Sequence, residues 1–176
     1  MRRARLILNP IPWERHVRDG LAPLVGTLEE GGVRCDVSFT KITGAMTESV
    51  AQAVREGYDL VIAGGGDGTI SEVASGLVGS EIPLGIIPCG TLDNIATSLH
   101  LSQDLQRAAS IIVAGKTRAI DVGVANHYYF FEAAGVGLDA SIFPIGEEIK
   151  DGHYHRLFEA SLRFLRYNSE EMVIRL

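Results

Sequence analysis

Two rhythms of apolar and polar positions alternate along this chain. Ala4 to Leu8 is a short apolar run broken by Arg5 and ended by Asn9-Pro10, as a first strand would be. Trp13, Val17, Leu21, Leu24, Val25 and Leu28 then keep helical spacing until Gly31-Gly32 stops them. Val33 to Thr40 alternates as a second strand. Met46, Val50, Ala53 and Val54 mark a second helix. Leu60 to Ala63 is continuously apolar, as a strand buried on both faces would be. Ile70, Val73, Ala74 and Leu77 return to helical spacing, and Ile82 to Ile87 reads as a fourth strand entering Pro88-Cys89-Gly90-Thr91. A short helix at Asn94 to Leu99 and a longer one from Leu105 to Val113 follow. This alternation predicts an α/β fold, a parallel sheet flanked by helices.

After Gly115 the pattern changes. Arg118 to Val124 and Tyr128 to Ala134 read as antiparallel strands about a turn at Asn126-His127. Phe158, Leu162 and Leu165 mark a further helix, and Met172 to Leu176 begins something strand-like. The expected organisation is an α/β domain over residues 1–115 and a partial β-rich unit over 116–176. An open strand edge there would recruit a second copy or aggregate.

The most informative stretch joins the third strand to its helix: Gly64-Gly65-Gly66-Asp67-Gly68-Thr69. A helix N-terminus presents unpaired N–H groups and a partial positive charge. Glycines let backbone approach an anion closely and adopt positive φ, so this junction suits a phosphate. The Asp67 carboxylate would repel a bare phosphate, so Mg2+ or a reacting hydroxyl proton is expected between them. No Gly-Lys-Ser/Thr follows, which excludes a Walker A loop. Thr69 stands where a dinucleotide fingerprint needs its third glycine.

Composition narrows the reading little. The 176 residues are 46% hydrophobic and 22% charged, which suits one domain or one and part of another. A net charge of −6 argues against broad nucleic-acid binding and gives no general attraction to anionic lipid. Arg2, Arg3 and Arg5 read as a solvated terminus. Cys35 and Cys89 read as thiols in a reducing cytoplasm. No apolar run is long enough to span a bilayer, and the run after Met1-Arg2-Arg3 is too short for a secretory leader.

Gly65 to Leu77, in the pattern GGDGTxxEVxxGL, resembles the signature of the diacylglycerol kinase catalytic-domain family, which includes bacterial lipid kinases and sphingosine kinases. NAD kinases and phosphofructokinases share the shorter GGDG core; Glu72, Val73 and Gly76-Leu77 tilt the match toward the lipid kinases. The resemblance implies an NAD kinase/phosphofructokinase-like nucleotide-binding domain followed by the start of a β-sandwich. It implies transfer of the γ-phosphate of ATP to a diacylglycerol-like lipid hydroxyl at a membrane surface, with Mg2+, by a cytoplasmic or peripherally membrane-bound protein. It assigns nucleotide contacts to Thr40, Gly65, Gly66, Asp67, Gly68, Thr69, Glu72 and Thr91, and a metal-linked or proton-accepting role to Asp67. The family's late acidic base would lie beyond Leu176, so the chain as given is expected to bind nucleotide with little transfer. An NAD kinase-like or sugar-phosphate kinase, and a non-catalytic nucleotide-binding fragment, are the alternatives.

Three departures from the family pattern stand out. Asn9-Pro10-Ile11-Pro12-Trp13 lacks the Ser and Gly of NPxSG. Gly90-Thr91-Leu92-Asp93-Asn94-Ile95-Ala96 exchanges the Asn and Asp of GTxNDFA, so either Asp93 serves by a local shift or the acid's role is lost. Gly44-Ala45-Met46 replaces GHA. Phe131, Gly135, Gly137, Asp139 and Ala140 resemble a further family segment in which Asp139 reads as a helix N-cap. Asp151, His153 and His155 read as a hydrated turn, since no further ligand is spaced for a closed metal site. His16, His100 and His127 receive no role.

Overall fold

The computed structural model describes residues 1–9, 18–40 and 45–135. The chain divides into two compact units, Met1–Glu132 and Ala133–Leu176, and every element below lies in the first. Strand β1 spans Arg2–Leu8, helix α1 Leu21–Glu30, β2 Val33–Phe39, α2 Ala45–Arg55, β3 Leu60–Gly65, α3 Asp67–Leu77, β4 Leu84–Pro88, α4 Asn94–Ser98 and α5 Leu105–Ala114. A hairpin of β5 (Gly123–Ala125) and β6 (Tyr128–Phe130) follows.

The four-stranded sheet is parallel throughout, in the order β2-β1-β3-β4. Side chains alternate across a strand, so neighbours in β1 enter opposite cores. Leu6 and Leu8 pack with Leu24, Leu28, Ile62, Ile87 and Ile112 against α1 and α5. Ile7 packs with Val50, Val61, Ile70 and Val73 against α2 and α3. Burial on both faces explains why β3 has no polar position. Each large apolar side chain so buried stabilises the fold by about 1.5–3 kcal/mol.

Local chemistry sets the ends of the elements. Gly31 and Gly32 donate to the carbonyls of Thr27 and Glu29, and Gly32 has φ +79°, a left-handed stop that the glycine pair predicts. Asp104 caps α5 by accepting the Arg107 N–H at 2.9 Å. Gly76 lets α2 approach α3: a Cβ there would stand 3.0 Å from Val50 Cγ1.

Several boundaries differ from expectation. The first helix is preceded by a 3-10 turn at Arg18–Gly20, and Trp13 and Val17 lie outside the described residues. Ile82 and Pro83 precede β4 instead of belonging to it. The antiparallel hairpin forms about Asn126 and His127, both at positive φ, but its strands are only three residues long. Residues 118–122 are not strand. Lys116 to Arg118 and Ile120 to Val122 instead help to line a groove of about 700 Å³ along the outer edge of β4, between Leu77 of α3 and Ile111 of α5. The expected helix at Phe158–Leu165, the strand-like end, Asp139 and the Asp151, His153 and His155 group lie outside the described residues.

Candidate nucleotide site at the strand ends

Sheet order reverses between β1 and β3: β1 is followed in sequence by its neighbour on one side and two strands later by its neighbour on the other. In open α/β sheets, ligands bind beyond the strands' carboxyl ends at such a switch point. Register aligns those ends. Leu8 pairs with both Phe39 and Gly64, and Gly65 with Pro88. The next residues, Thr40 and Asn9, are therefore level with Gly65 and Pro88 in one row, and Gly66 and Cys89 stand one step beyond it. Backbone bonds continue the ladder into it: Thr40 N–H donates to Leu8 O, Asn9 N–H to Gly64 O, and Cys89 N–H to Gly65 O. Four strands at about 4.8 Å spacing span about 14 Å, a length suited to an extended polyphosphate.

Gly66 occupies the N-cap of α3 in extended backbone, φ −84° and ψ −175°. Gly65, Gly66 and Gly68 all lie outside the positive-φ region, so the positive φ that glycine allows is not used here. Space is the reason at two of them. A Cβ on Gly65 would lie 2.5 Å from Thr69 Oγ1, and one on Gly66 3.1 Å from Gly90 Cα. Nothing stands within 4 Å of a Cβ on Gly68, so that backbone faces open space. Thr69 is buried, and its hydroxyl accepts from Asn9 Nδ2 at 3.4 Å. Glu72 is half-buried one turn further along α3. Thr91 is exposed beyond Gly90. Thr40 Oγ1 is buried and finds no hydrogen-bond partner among the described residues. A buried hydroxyl in that condition is costly unless a ligand or water satisfies it.

The carboxylates are where sequence reasoning fell short. Asp67 accepts two backbone N–H groups from across the loop, Asn94 to Oδ2 and Ile95 to Oδ1, each at 3.0 Å. One side chain thus opens α3 and caps α4. Asp93 sits just before α4 at φ +50° and is only 4% exposed. Its carboxylate turns back to accept the Gly90 N–H at 2.9 and 3.1 Å. Burial pushes the Asp93 carboxyl above its ordinary range; the Gly90 N–H opposes the shift and the Asp67 charge adds to it. Glu132, absent from the sequence reading, is also raised, by desolvation first and then by Asp67. It directly follows Phe131, which packs beside the core around Ile70 and Ile95, and that adjacency was the available signal.

The donor set can be weighed against a Mg2+ ion. No three His, Cys, Asp or Glu side chains converge among the described residues. Mg2+ is commonly held by one or two carboxylates together with substrate phosphates, so a protein-only cage is not needed. Each Asp67 oxygen keeps a lone pair after its N–H bond. The residues therefore fit a metal shared with phosphates.

A parallel sheet with a glycine-lined helix N-terminus at its switch point defines a nucleotide-binding α/β domain. The sequence profile of the family "Diacylglycerol kinase catalytic domain" matches residues 3–125, and the chain belongs to that family. It is 36% identical over 140 residues to a diacylglycerol kinase of Bacillus subtilis (strain 168), covering 78% of this chain and 46% of the relative. A diacylglycerol kinase of Staphylococcus aureus (strain MRSA252) is 34% identical over 140 residues, covering 77% and 44%. The crystal structure of a diacylglycerol kinase from Bacillus anthracis str. Sterne superposes with a TM-score of 0.66 at 31% identity, over 73% of this chain and 48% of that one. The chain spans about half the length of the curated relatives it matches. The NAD kinase and sugar-phosphate kinase alternatives are not favoured by these matches.

Proposed function

We propose that this domain binds ATP along the row of strand ends and serves a lipid kinase that transfers the γ-phosphate to a diacylglycerol-like hydroxyl. The observation that carries the reading is the open backbone at Gly68 in the first turn of α3, on the same edge of the sheet as the Thr40 hydroxyl, which has no partner among the described residues. Phosphoryl transfer depends mainly on alignment and on stabilising charge. The first N–H groups of α3 would receive phosphate oxygens. Thr40 and Thr91 would donate hydroxyls at either side, and Glu72 would stand behind the loop. Asp67 would hold Mg2+, which when bound offsets charge on the phosphates. Asp67 would also keep α4 in place through its two N–H bonds.

The lipid would be met at a membrane surface. Among the described residues no helix is long and apolar enough to cross a bilayer, which accords with a cytoplasmic, peripherally bound kinase. Self-association through an open strand edge is a separate expectation, and light scattering that finds a monodisperse monomer would remove it.

Calorimetry with Mg-ATP and a labelled-phosphate transfer assay test the reading, with diacylglycerol, a sphingoid base and NAD as acceptors. Binding of ATP with transfer to diacylglycerol is expected of the chain extended to its relatives' length. Absence of nucleotide binding would refute the site. Transfer to NAD alone would refute the lipid assignment. Binding without transfer to any acceptor would favour a nucleotide-binding module.

A further inference from the structure

The exchanged pair Asp93-Asn94 is the departure that the nucleotide reading leaves unexplained. Two glycine turns meet at this place. A Cβ on Gly90 would stand 2.5 Å from Gly66 Cα, so the turn after β4 is pressed against the turn after β3, backbone to backbone. Such contact gives no side-chain interlock. Something else must hold Gly90 there, and Asp93 is positioned to do so. Both oxygens of its buried carboxylate receive the Gly90 N–H. Its carbonyl is fixed in turn, accepting the Thr97 N–H and the Thr97 hydroxyl, each at 2.9 Å. Asp93 thus anchors to α4 and reaches back to the turn, while Asp67 ties α4 to α3. The left-handed backbone at Asp93 is what aims the carboxylate backward. Asp and Asn tolerate that conformation better than most residues.

We propose that Asp93 is a positioning residue for nucleotide: its bond to Gly90 holds the Gly90-Thr91 turn against Gly66, so that Thr91 and the glycine loop meet ATP as one surface. The proposal rests on the nucleotide reading above. It assigns Asp93 no proton transfer and no metal contact. The acid of the exchanged pair therefore does not take over a reacting role by a local shift; it braces the second turn.

Two substitutions separate the carboxylate from the backbone. Asp93→Gly keeps the left-handed conformation and deletes the acceptor. Asp93→Asn keeps one acceptor oxygen and a tolerance for positive φ. Amide exchange of ligand-free protein should show the Gly90 N–H losing protection in Asp93→Gly and keeping most of it in Asp93→Asn. Calorimetry with Mg-ATP should show affinity about tenfold weaker in Asp93→Gly, as loss of a charge-assisted bond predicts, with most of it recovered in Asp93→Asn. Folding of each variant is checked by circular dichroism. If Asp93→Gly does not fold, Gly90→Ala carries the test, because its methyl, 2.5 Å from Gly66 Cα and 2.7 Å from Asp93 Oδ1, must part the two turns or displace the carboxylate, and either disrupts the brace. Folded Gly90→Ala or Asp93→Gly that binds Mg-ATP as the parent does would overturn the proposal. So would Asp93→Asn as weak as Asp93→Gly. A parent chain that binds no ATP would instead refute the nucleotide reading, and the exchange measurement would still report on the Asp93 brace.

Discussion

Asp67→Ala should cost stability that a purely catalytic carboxylate would not supply. The side chain accepts the N–H groups of Asn94 and Ile95 at 3.0 Å each, and it stands in the first turn of α3. Loss of a capping side chain costs about 1 kcal/mol, within a range of about 0.5–2. An acid in the first turn of a helix adds about 0.3–1 kcal/mol. The Asn94 bond is exposed and counts for less, while the Ile95 bond is partly buried. Together these give about 2 kcal/mol for Asp67→Ala. Asp67→Asn should cost about half as much, since one oxygen remains while the amide N–H groups face the second donor. For a chain of this size each kcal/mol moves the melting temperature by about 2–4 °C. The expected shifts are then about 4–8 °C for Ala and about 2–4 °C for Asn, read by circular dichroism. Amide exchange should accelerate at Asn94 and Ile95 in both variants. An Ala variant that melts within a degree of the parent would refute the capping role. In a transfer-competent protein Asp67→Asn should also lower kcat, and an unchanged rate would leave Asp67 only structural.

Gly66→Val should weaken Mg-ATP binding in a folded protein, because its Cβ would stand 3.1 Å from Gly90 Cα and its methyls would occupy the phosphate space. Calorimetry with unchanged affinity would sink the phosphate-loop reading. Burial pushes the Cys35 thiol up to about 11, with the Glu29 and Asp36 charges adding to the shift. At pH 8 about one thiol in a thousand is then thiolate, so alkylation of native Cys35 should run roughly a hundredfold slower than in guanidinium. The folded state holds this proton more tightly than the unfolded state. Its contribution to stability is therefore full below about pH 9 and is lost as pH rises toward 11. The Tyr58 hydroxyl, 2.7 Å from Asp36 Oδ2, is the main cause holding the Asp36 carboxyl below its ordinary range, with Arg3 second. A depressed carboxyl contributes stability that is present above its ordinary value of 3.8 and lost as pH falls through the folded value. Tyr58→Phe should flatten that acid limb, and an identical acid limb in the two proteins would exclude the hydroxyl as its cause.

The two apolar periods carried most of the fold. The unbroken run at Leu60 to Ala63 read as a strand covered on both faces, and the 3.6 spacing of Ile70, Val73 and Leu77 fixed the buried side of α3. The loop between them was read as a phosphate site because glycines, an acid and a helix start fell in one short stretch. What escaped notice was relational. Nothing local in Gly66 or Gly90 says that they touch, and nothing in Asp67 says that its donors lie 27 and 28 residues away. The loop glycines were read as allowing close approach to an anion and positive φ, whereas close protein neighbours at Gly65 and Gly66 exclude a side chain there. Arg118 to Val124 was read as a strand, but residues 118–121 are exposed and belong to none. A local pattern does not report whether a neighbour offers a ladder, and here the segment borders the β4 groove without pairing.

The alignment of the strand ends has a thermodynamic consequence. Each of the four strands delivers one residue to the row, so no subset of them holds the whole of the proposed site. A ligand bound there is released whenever any strand leaves the sheet, even if the other three stay. Saturation should therefore suppress partial openings as well as global unfolding. At a ligand concentration of one hundred times Kd, about 2.7 kcal/mol is added to every opening that breaks the row. Hydrogen exchange in β2 and β4, the outer strands, should then slow on binding by the same factor as in β1 and β3 between them. The edges of the sheet, where fraying would ordinarily begin, gain as much protection as its centre.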